Sequence, residues 1–345
     1  MFDLGYSEEQ ELLVAAFGRV LERECSTEVV RAHEPLGFSD ALWTRMVELG
    51  GVDMALPEAA GGSGGGFLDA VLVHEVLGAY LAPVPLAETV AAGRLLATLA
   101  TEPALKLLAG ALESGVAMTI APRPASAGRL RSVPAGAVAG VVVARDADRV
   151  VALTAPPAAA GVPNLGALPA ADLSLDGGVI EIAAGPAALA CFDDAVLEWR
   201  ALLAALMTGA GQRALAIGVD YTKGRYAFGV PIASFQSIAH RMADAATALD
   251  GATLVTRKAG WAIDTAAVQW RPLAQMAFVA GAQAARHVTD EVLHFHGGYG
   301  FMQEYDIQLY FRRVKAWALQ DGDPAVALED LADLLWDRLP PTGVA

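Results

Sequence analysis

The 345-residue sequence predicts an α+β protein with a helical N-terminal domain, a small middle β domain and a C-terminal four-helix bundle. Three observations predict it. Apolar residues recur at helical spacing at both ends of the chain, short β-branched runs cut by Pro, Gly and Asp fill the middle, and four long amphipathic stretches with short connections close the sequence. At 54% hydrophobic residues, such a chain can bury a large core and divide into two or three units.

Residues 1–112 read as the first helical domain. Ser7-Glu-Glu-Gln10 offers a hydroxyl cap with a Gln three positions on, and Leu12, Leu13, Ala16, Phe17, Val20 and Leu21 follow at helical spacing. The stretch Leu56-Pro-Glu-Ala-Ala-Gly-Gly-Ser-Gly-Gly-Gly66 is too glycine-rich for a helix and reads as a loop. A second helical group runs from Phe67 to about Gly110, with a break at Pro83-Val-Pro85. Residues 113–197 read as the β domain, with Val116-Ala-Met-Thr-Ile120, Val141-Val-Val143 and Val179-Ile-Glu-Ile182 as strands of small antiparallel sheets and the Ala/Pro-rich piece after Thr154 as a loop. Residues 198–345 read as the bundle, with helices at about 198–224, 232–264, 272–295 and 303–337. Glycine and proline at 229–231, 270–272 and 296–300 separate them.

The formal charge of −15 disfavours nucleic acid, which needs a basic face. No run of about 18 uninterrupted apolar residues suggests a membrane span. The acidic, polar start lacks the basic and apolar regions of a signal peptide, so the expected location is the cytoplasm. Cys25 and Cys191 stand far apart with no metal-ligand spacing, and no metal site is expected.

Two stretches carry the chemistry: Arg225-Tyr-Ala-Phe-Gly-Val-Pro-Ile-Ala-Ser-Phe-Gln236 and His296-Gly-Gly-Tyr-Gly-Phe301. The guanidinium of Arg225, beside the N–H groups that open the following helix, suits a diphosphate; alternatively it caps a loop. Phe228, Ile232 and Phe235 suit either an adenine ring or a bundle core, and Gln236 offers a donor and an acceptor to a base edge. Gly297, Gly298 and Gly300 let backbone approach a ligand closely or simply turn between helices. Spacing of i, i+2 does not put His294 and His296 on one helix face for a metal.

Together these stretches resemble the two flavin-nucleotide contact motifs of the acyl-CoA dehydrogenase family, in that family's order and at roughly its separation. Leu56-Pro-Glu-Ala-Ala-Gly-Gly62 resembles the family's LPEEYGG loop, and Glu304-Tyr305 follows the glycine turn as it does there. The resemblance runs end to end. It implies the acyl-CoA dehydrogenase fold, FAD as cofactor, an acyl-CoA substrate, and an electron-transfer flavoprotein or similar acceptor. It further implies that Arg225, Phe228, Ile232, Phe235, Gln236 and the turn at Gly297, Gly298 and Gly300 contact the adenine nucleotide, with His294 where the family has a Gln.

In the family a carboxylate removes the α proton of the thioester while the flavin takes hydride from the β carbon. The position of the usual Glu corresponds to Asp321 in Gln320-Asp-Gly-Asp-Pro324, shorter by one methylene, or roughly 1.5 Å. A displacement of about 1 Å costs on the order of a hundredfold. Other members place the base at the start of the first bundle helix. Trp199 stands there in this chain, and Glu198 is one step off, a rotation of about 100°. Asp321 is therefore expected to be a vestige, solvated or capping the helix that begins near Pro324.

The flavin-ring half departs further. Family members that hold their own ring carry Thr-Glu-Pro…Gly-Ser-Asp and Trp-Ile-Thr/Ser stretches. Here the run is Met118-Thr-Ile-Ala-Pro-Arg-Pro-Ala-Ser-Ala, and no Trp occurs between Trp43 and Trp199. This asymmetry resembles the short subunits of actinobacterial heterotetrameric acyl-CoA dehydrogenases that act on steroid side-chain CoA thioesters. It implies a longer homologous partner in an α2β2 assembly, which would supply the base and hold most of the FAD. Two other readings stay open: a self-sufficient homotetramer with Asp321 as base, and a structural subunit that binds no flavin.

Overall fold

The computed structural model describes residues 5–154 and 161–336. The expected loop after Thr154 lies mostly outside the described residues. Six helices open the chain: α1 (Glu8–Glu24), α2 (Thr27–His33), α3 (Asp40–Glu48), α4 (Phe67–Ala79), α5 (Leu86–Leu99) and α6 (Glu102–Ser114). The expected capping box starts α1: the Ser7 hydroxyl accepts from Gln10 N–H, and the Gln10 side chain returns to Ser7 N–H.

The β region holds two small sheets. One orders β1 (Met118–Ala121), β3 (Val141–Asp146), β4 (Arg149–Thr154) and β6 (Val179–Ala184); the other pairs β2 (Arg129–Val133) with β5 (Ala171–Ser174). Only part of the expected antiparallel pattern holds, because β1 and β3 run parallel. Alternation along β3 divides its burial. Val141 and Val143 join the main core, whereas Val142 and Ala144 face a second cluster with Leu130, Val133 and Leu173.

The bundle comprises α7 (Pro186–Gly224), α8 (Gln236–Asp264), α9 (Trp270–Phe295) and α10 (Ile307–Leu319), followed by α11 (Pro324–Trp336). Two expected boundaries move. The first bundle helix begins at Pro186 and not near 198, because Gly185 takes a φ of 86° and Pro occupies the first turn. The expected fourth helix is two, split at 320–323, where Gly322 has a φ of 124°. By length and composition alone α7 could cross a membrane, yet 61% of its most apolar window is buried inside the molecule, as in a core helix. Gly78 of α4 and Gly209 of α7 bring these two helices to backbone contact: a Cβ on Gly78 would lie 2.0 Å from Leu206 O, and one on Gly209 1.8 Å from Glu75 O.

Candidate functional site

The nucleotide-contact candidates gather where α7 ends. Arg225 caps that helix and is exposed, and its guanidinium lies 5.7 Å from the centre of the Tyr299 ring, so the two sequence stretches meet. A hairpin follows, β7 (Tyr226–Ala227) paired with β8 (Val230–Pro231). Its two-residue turn is Phe228-Gly229, with φ of 53° and 82°, the left-handed pair that matches the twist of a tight hairpin. A phenylalanine pays a steric cost in that conformation. Phe228 is nevertheless 96% exposed, with the Phe235 ring edge-on to it at 6.3 Å between centres.

The other apolar candidates separate. Ile232 is buried and Phe235 half-buried, so Ile232 belongs to the packing and Phe228 to the surface. Gln236 is exposed at the first residue of α8. His294 is exposed on the last turn of α9. His296 is buried, stacked on Tyr221 at 3.8 Å with Nδ1 2.7 Å from Val292 O, and burial lowers its pKa. His296 is thus a packing residue. The three glycines also differ. A Cβ on Gly300 would meet Leu293 O at 2.6 Å, and Gly297 has a φ of 60°, but at Gly298 a Cβ would meet nothing within 4 Å. Among the described residues, then, no packing atom excludes a side chain at 298.

An adenine nucleotide fits this surface: an exposed guanidinium for phosphate, an exposed aromatic face, an amide and a bare glycine. The stretch at 118–127 fits a flavin ring poorly. Thr119 is buried and donates its hydroxyl to Pro134 O at 2.6 Å, and the stretch carries no carboxylate. A mainly apolar cleft of about 420 Å³ lies between loop 162–170 and α10, with Ser132, Leu165 and Phe311 in its lining. Its cations are engaged, Arg312 by Gln308, Glu34 and Leu165 O, and Lys315 by Asp290 and the Phe311 ring.

The candidate bases are tied up. Asp321 Oδ2 accepts from Arg200 Nε at 2.6 Å and Nη2 at 2.5 Å, and its side chain is 8% exposed. Arg200 also reaches Gln275 Oε1 at 2.7 Å and Asp330 Oδ2 at 3.2 Å, locking the 320–323 break onto α7, α9 and α11. Asp321 is therefore neither solvated nor a helix cap, contrary to expectation; the residue accepting from Ala325 N–H is Asp323, at 2.9 Å. Burial raises the Asp321 pKa, and Arg200 opposes the rise. Glu198 makes a two-pronged pair with Arg94, both bonds 2.8 Å, and Arg94 also donates to Ala55 O. Trp199 is 0% exposed, with Nε1 3.4 Å from Glu88 Oε1. Burial pushes the Glu88 pKa up. The cavity bordered by Glu88 and Gln320 measures about 30 Å³, too small for an acyl group.

Sequence reasoning overlooked Glu88, Arg94 and Arg200. The available signal was Leu86-Ala-Glu-Thr-Val-Ala-Ala-Gly-Arg94, where two charges interrupt an otherwise apolar helix.

Comparison with known proteins bears on the family. The acyl-CoA dehydrogenase N-terminal domain family matches residues 7–106, and the C-terminal domain family matches residues 192–335. The acyl-CoA dehydrogenase IpdE2 of Mycolicibacterium smegmatis is 32% identical over 330 residues, covering 94% of this chain and 98% of that protein. Among solved structures, the Tcur3481-Tcur3483 steroid ACAD superposes with a TM-score of 0.85 at 26% identity, over 96% of this chain and 98% of that one. The ChsE4-ChsE5 complex from Mycobacterium tuberculosis gives 0.88 at 23% identity, over 98% and 100%, and at that identity speaks for the fold alone. The two family-domain matches, and a relative 32% identical over nearly the whole chain, make it a member of the acyl-CoA dehydrogenase family, whose cofactor is FAD.

Proposed function

We propose that this chain is one of two kinds of homologous subunit in a flavin-dependent acyl-CoA dehydrogenase of the cytoplasm. It presents Arg225, Phe228, Gln236, His294 and the turn at Gly297, Gly298 and Gly300 to the adenine nucleotide of an FAD that a longer partner completes, in an α2β2 assembly. The substrate is an acyl-CoA thioester, with steroid side-chain CoA as its class, and an electron-transfer flavoprotein or similar acceptor takes the electrons. FAD would supply the hydride acceptor, while this chain's residues bind and orient its nucleotide end. The observation that carries the reading is Phe228: a 96% exposed aromatic, held at a positive φ, beside an exposed arginine and a glycine whose side-chain position is open. The pairing of Asp321 with Arg200 argues against the homotetramer, because it occupies the only carboxylate matching the usual base position.

The test is flavin content. Purified alone, the chain should be colourless and inactive; co-purified with its partner it should carry FAD and oxidise acyl-CoA. In that assembly Arg225→Ala should weaken FAD binding by roughly 1.5–3 kcal/mol, the range for a charge-assisted bond, and Arg225→Lys should restore only part because the fork geometry is lost. Stoichiometric FAD on the chain alone would refute the shared site. A partner fully active and flavin-loaded without this chain would reduce the chain to a structural role.

A further inference from the structure

Arg313, midway along α10, is 5% exposed. Its guanidinium makes one long hydrogen bond, 3.4 Å to Leu81 O, and lies 5.7 Å from the Trp317 ring. Among the described residues it forms no ion pair. Glu34, the acid that acts on it at longer range, is bonded to Arg312. Burial pushes the Arg313 pKa down to about 10, still well above neutrality, so the group stays charged. A buried charge without a counter-charge is strongly unfavourable, and proteins rarely retain one.

Arg313 borders the cavity of about 30 Å³ where the turn before α5, the loop before β5 and α10 meet. Glu88 lines the same space, but its carboxyl accepts from Trp199 Nε1 and from the Gln320 side chain, and among the described residues it forms no ion pair with Arg313. Gln320 lines it too, and its buried Oε1 has no hydrogen-bond donor among the described residues. One site therefore holds a cation lacking an anion and an acceptor lacking a donor.

We propose that this cavity is a halide site, with a chloride-sized anion against Arg313 and one water bridging it to Gln320 Oε1. Size decides the class of ligand. A water-sized particle needs roughly 10–15 Å³ on this measure, so the space takes about two. A carboxylate or phosphate does not fit; a monatomic anion and a water do. The water donates one hydrogen to the anion and the other to Oε1, which satisfies both groups. The anion would join three separate parts of the chain, and because the site exists only in the folded state, it would stabilise that state by mass action.

Thermal unfolding of the full chain, with chloride replacing gluconate at constant ionic strength, reads this directly. The midpoint should rise with chloride, by equal steps per tenfold increase once the site is filled, and bromide should act alike. Arg313→Leu should lose that dependence. A crystal soaked in bromide and measured at the bromine absorption edge should show an anomalous peak beside the Arg313 guanidinium. Equal halide dependence in wild type and variant overturns the proposal, as does a cavity holding water alone in bromide. If Arg313→Leu does not fold, the crystal of the unaltered chain decides.

Discussion

Asp321 and Glu198 are the two carboxylates at or beside the family's base positions, and an arginine holds each. The raised pKa of Asp321 would by itself suit a proton acceptor, but geometry overrides it: Oδ2 is occupied by two guanidinium nitrogens of Arg200, and the side chain is buried. Asp321→Asn should therefore leave turnover of the assembled enzyme within about threefold, where loss of a true general base costs about 10² to 10⁴. The same substitution should lower stability by about 1–3 kcal/mol, because Arg200 loses its main ionic partner in a poorly solvated place. Steady-state kinetics and urea unfolding on one preparation separate the two effects. A hundredfold fall in kcat at unchanged flavin content would make Asp321 the base. The position of Asp321 was legible in the sequence from its distance to the glycine turn. Its engagement was not, since Arg200 lies 121 residues earlier and meets it only through the packing of α7 against the 320–323 break.

Elements whose signals are local were legible, and those fixed by neighbours were not. The α1 cap follows from four adjacent residues, and the glycine turn after α9 stands where the sequence puts a break. The start of α7 was misplaced because Ala187 to Cys191 carry no strong helical pattern of their own, and Gly185-Pro186 is the only local marker. The backbone contact between α4 and α7 had no sequence signal at all: Gly78 and Gly209 read as ordinary helix-weakening glycines. Their packing makes opposite predictions for similar substitutions. Gly209→Ala puts a methyl group 1.8 Å from Glu75 O, so α4 and α7 must separate, and stability should fall by about 1–3 kcal/mol or more. Gly251→Ala in α8 meets nothing within 4 Å and should instead gain about 0.5–1 kcal/mol. Urea midpoints of the two variants check this; equal shifts would remove the close helix contact as the reason for glycine at 209.

For the molecule as a whole, the α, β, α order was legible because each part has its own periodicity, whereas the arginines that hold Asp321 and Glu198 were not, because they meet those carboxylates only through long-range packing. Stability against pH is likewise a property of the whole, set by buried groups from several elements. Burial raises the pKa values of Glu75, Glu88, Asp264 and Asp321. Their favourable contribution is complete below the unfolded carboxylate range of about 4 and is lost as pH rises through their folded values. His74 has the opposite sign. It is fully buried in α4, with Nδ1 2.6 Å from Ala70 O and no partner on Nε2 among the described residues, and burial lowers its pKa to about 4. Its unfolded value is about 6.5, so the stability it contributes is complete above that pH and disappears as pH falls toward 4, where the folded chain must also accept the proton. The difference amounts to at most about 3 kcal/mol, from 1.36 kcal/mol per pKa unit. Comparing His74→Leu with the unaltered chain cancels much of the carboxylate contribution, which both share. Between pH 7 and 4 the unaltered chain should lose more unfolding free energy than the variant, by up to about that amount, in urea titrations at each pH. Parallel profiles would mean that His74 is protonated in the folded protein or reached by water.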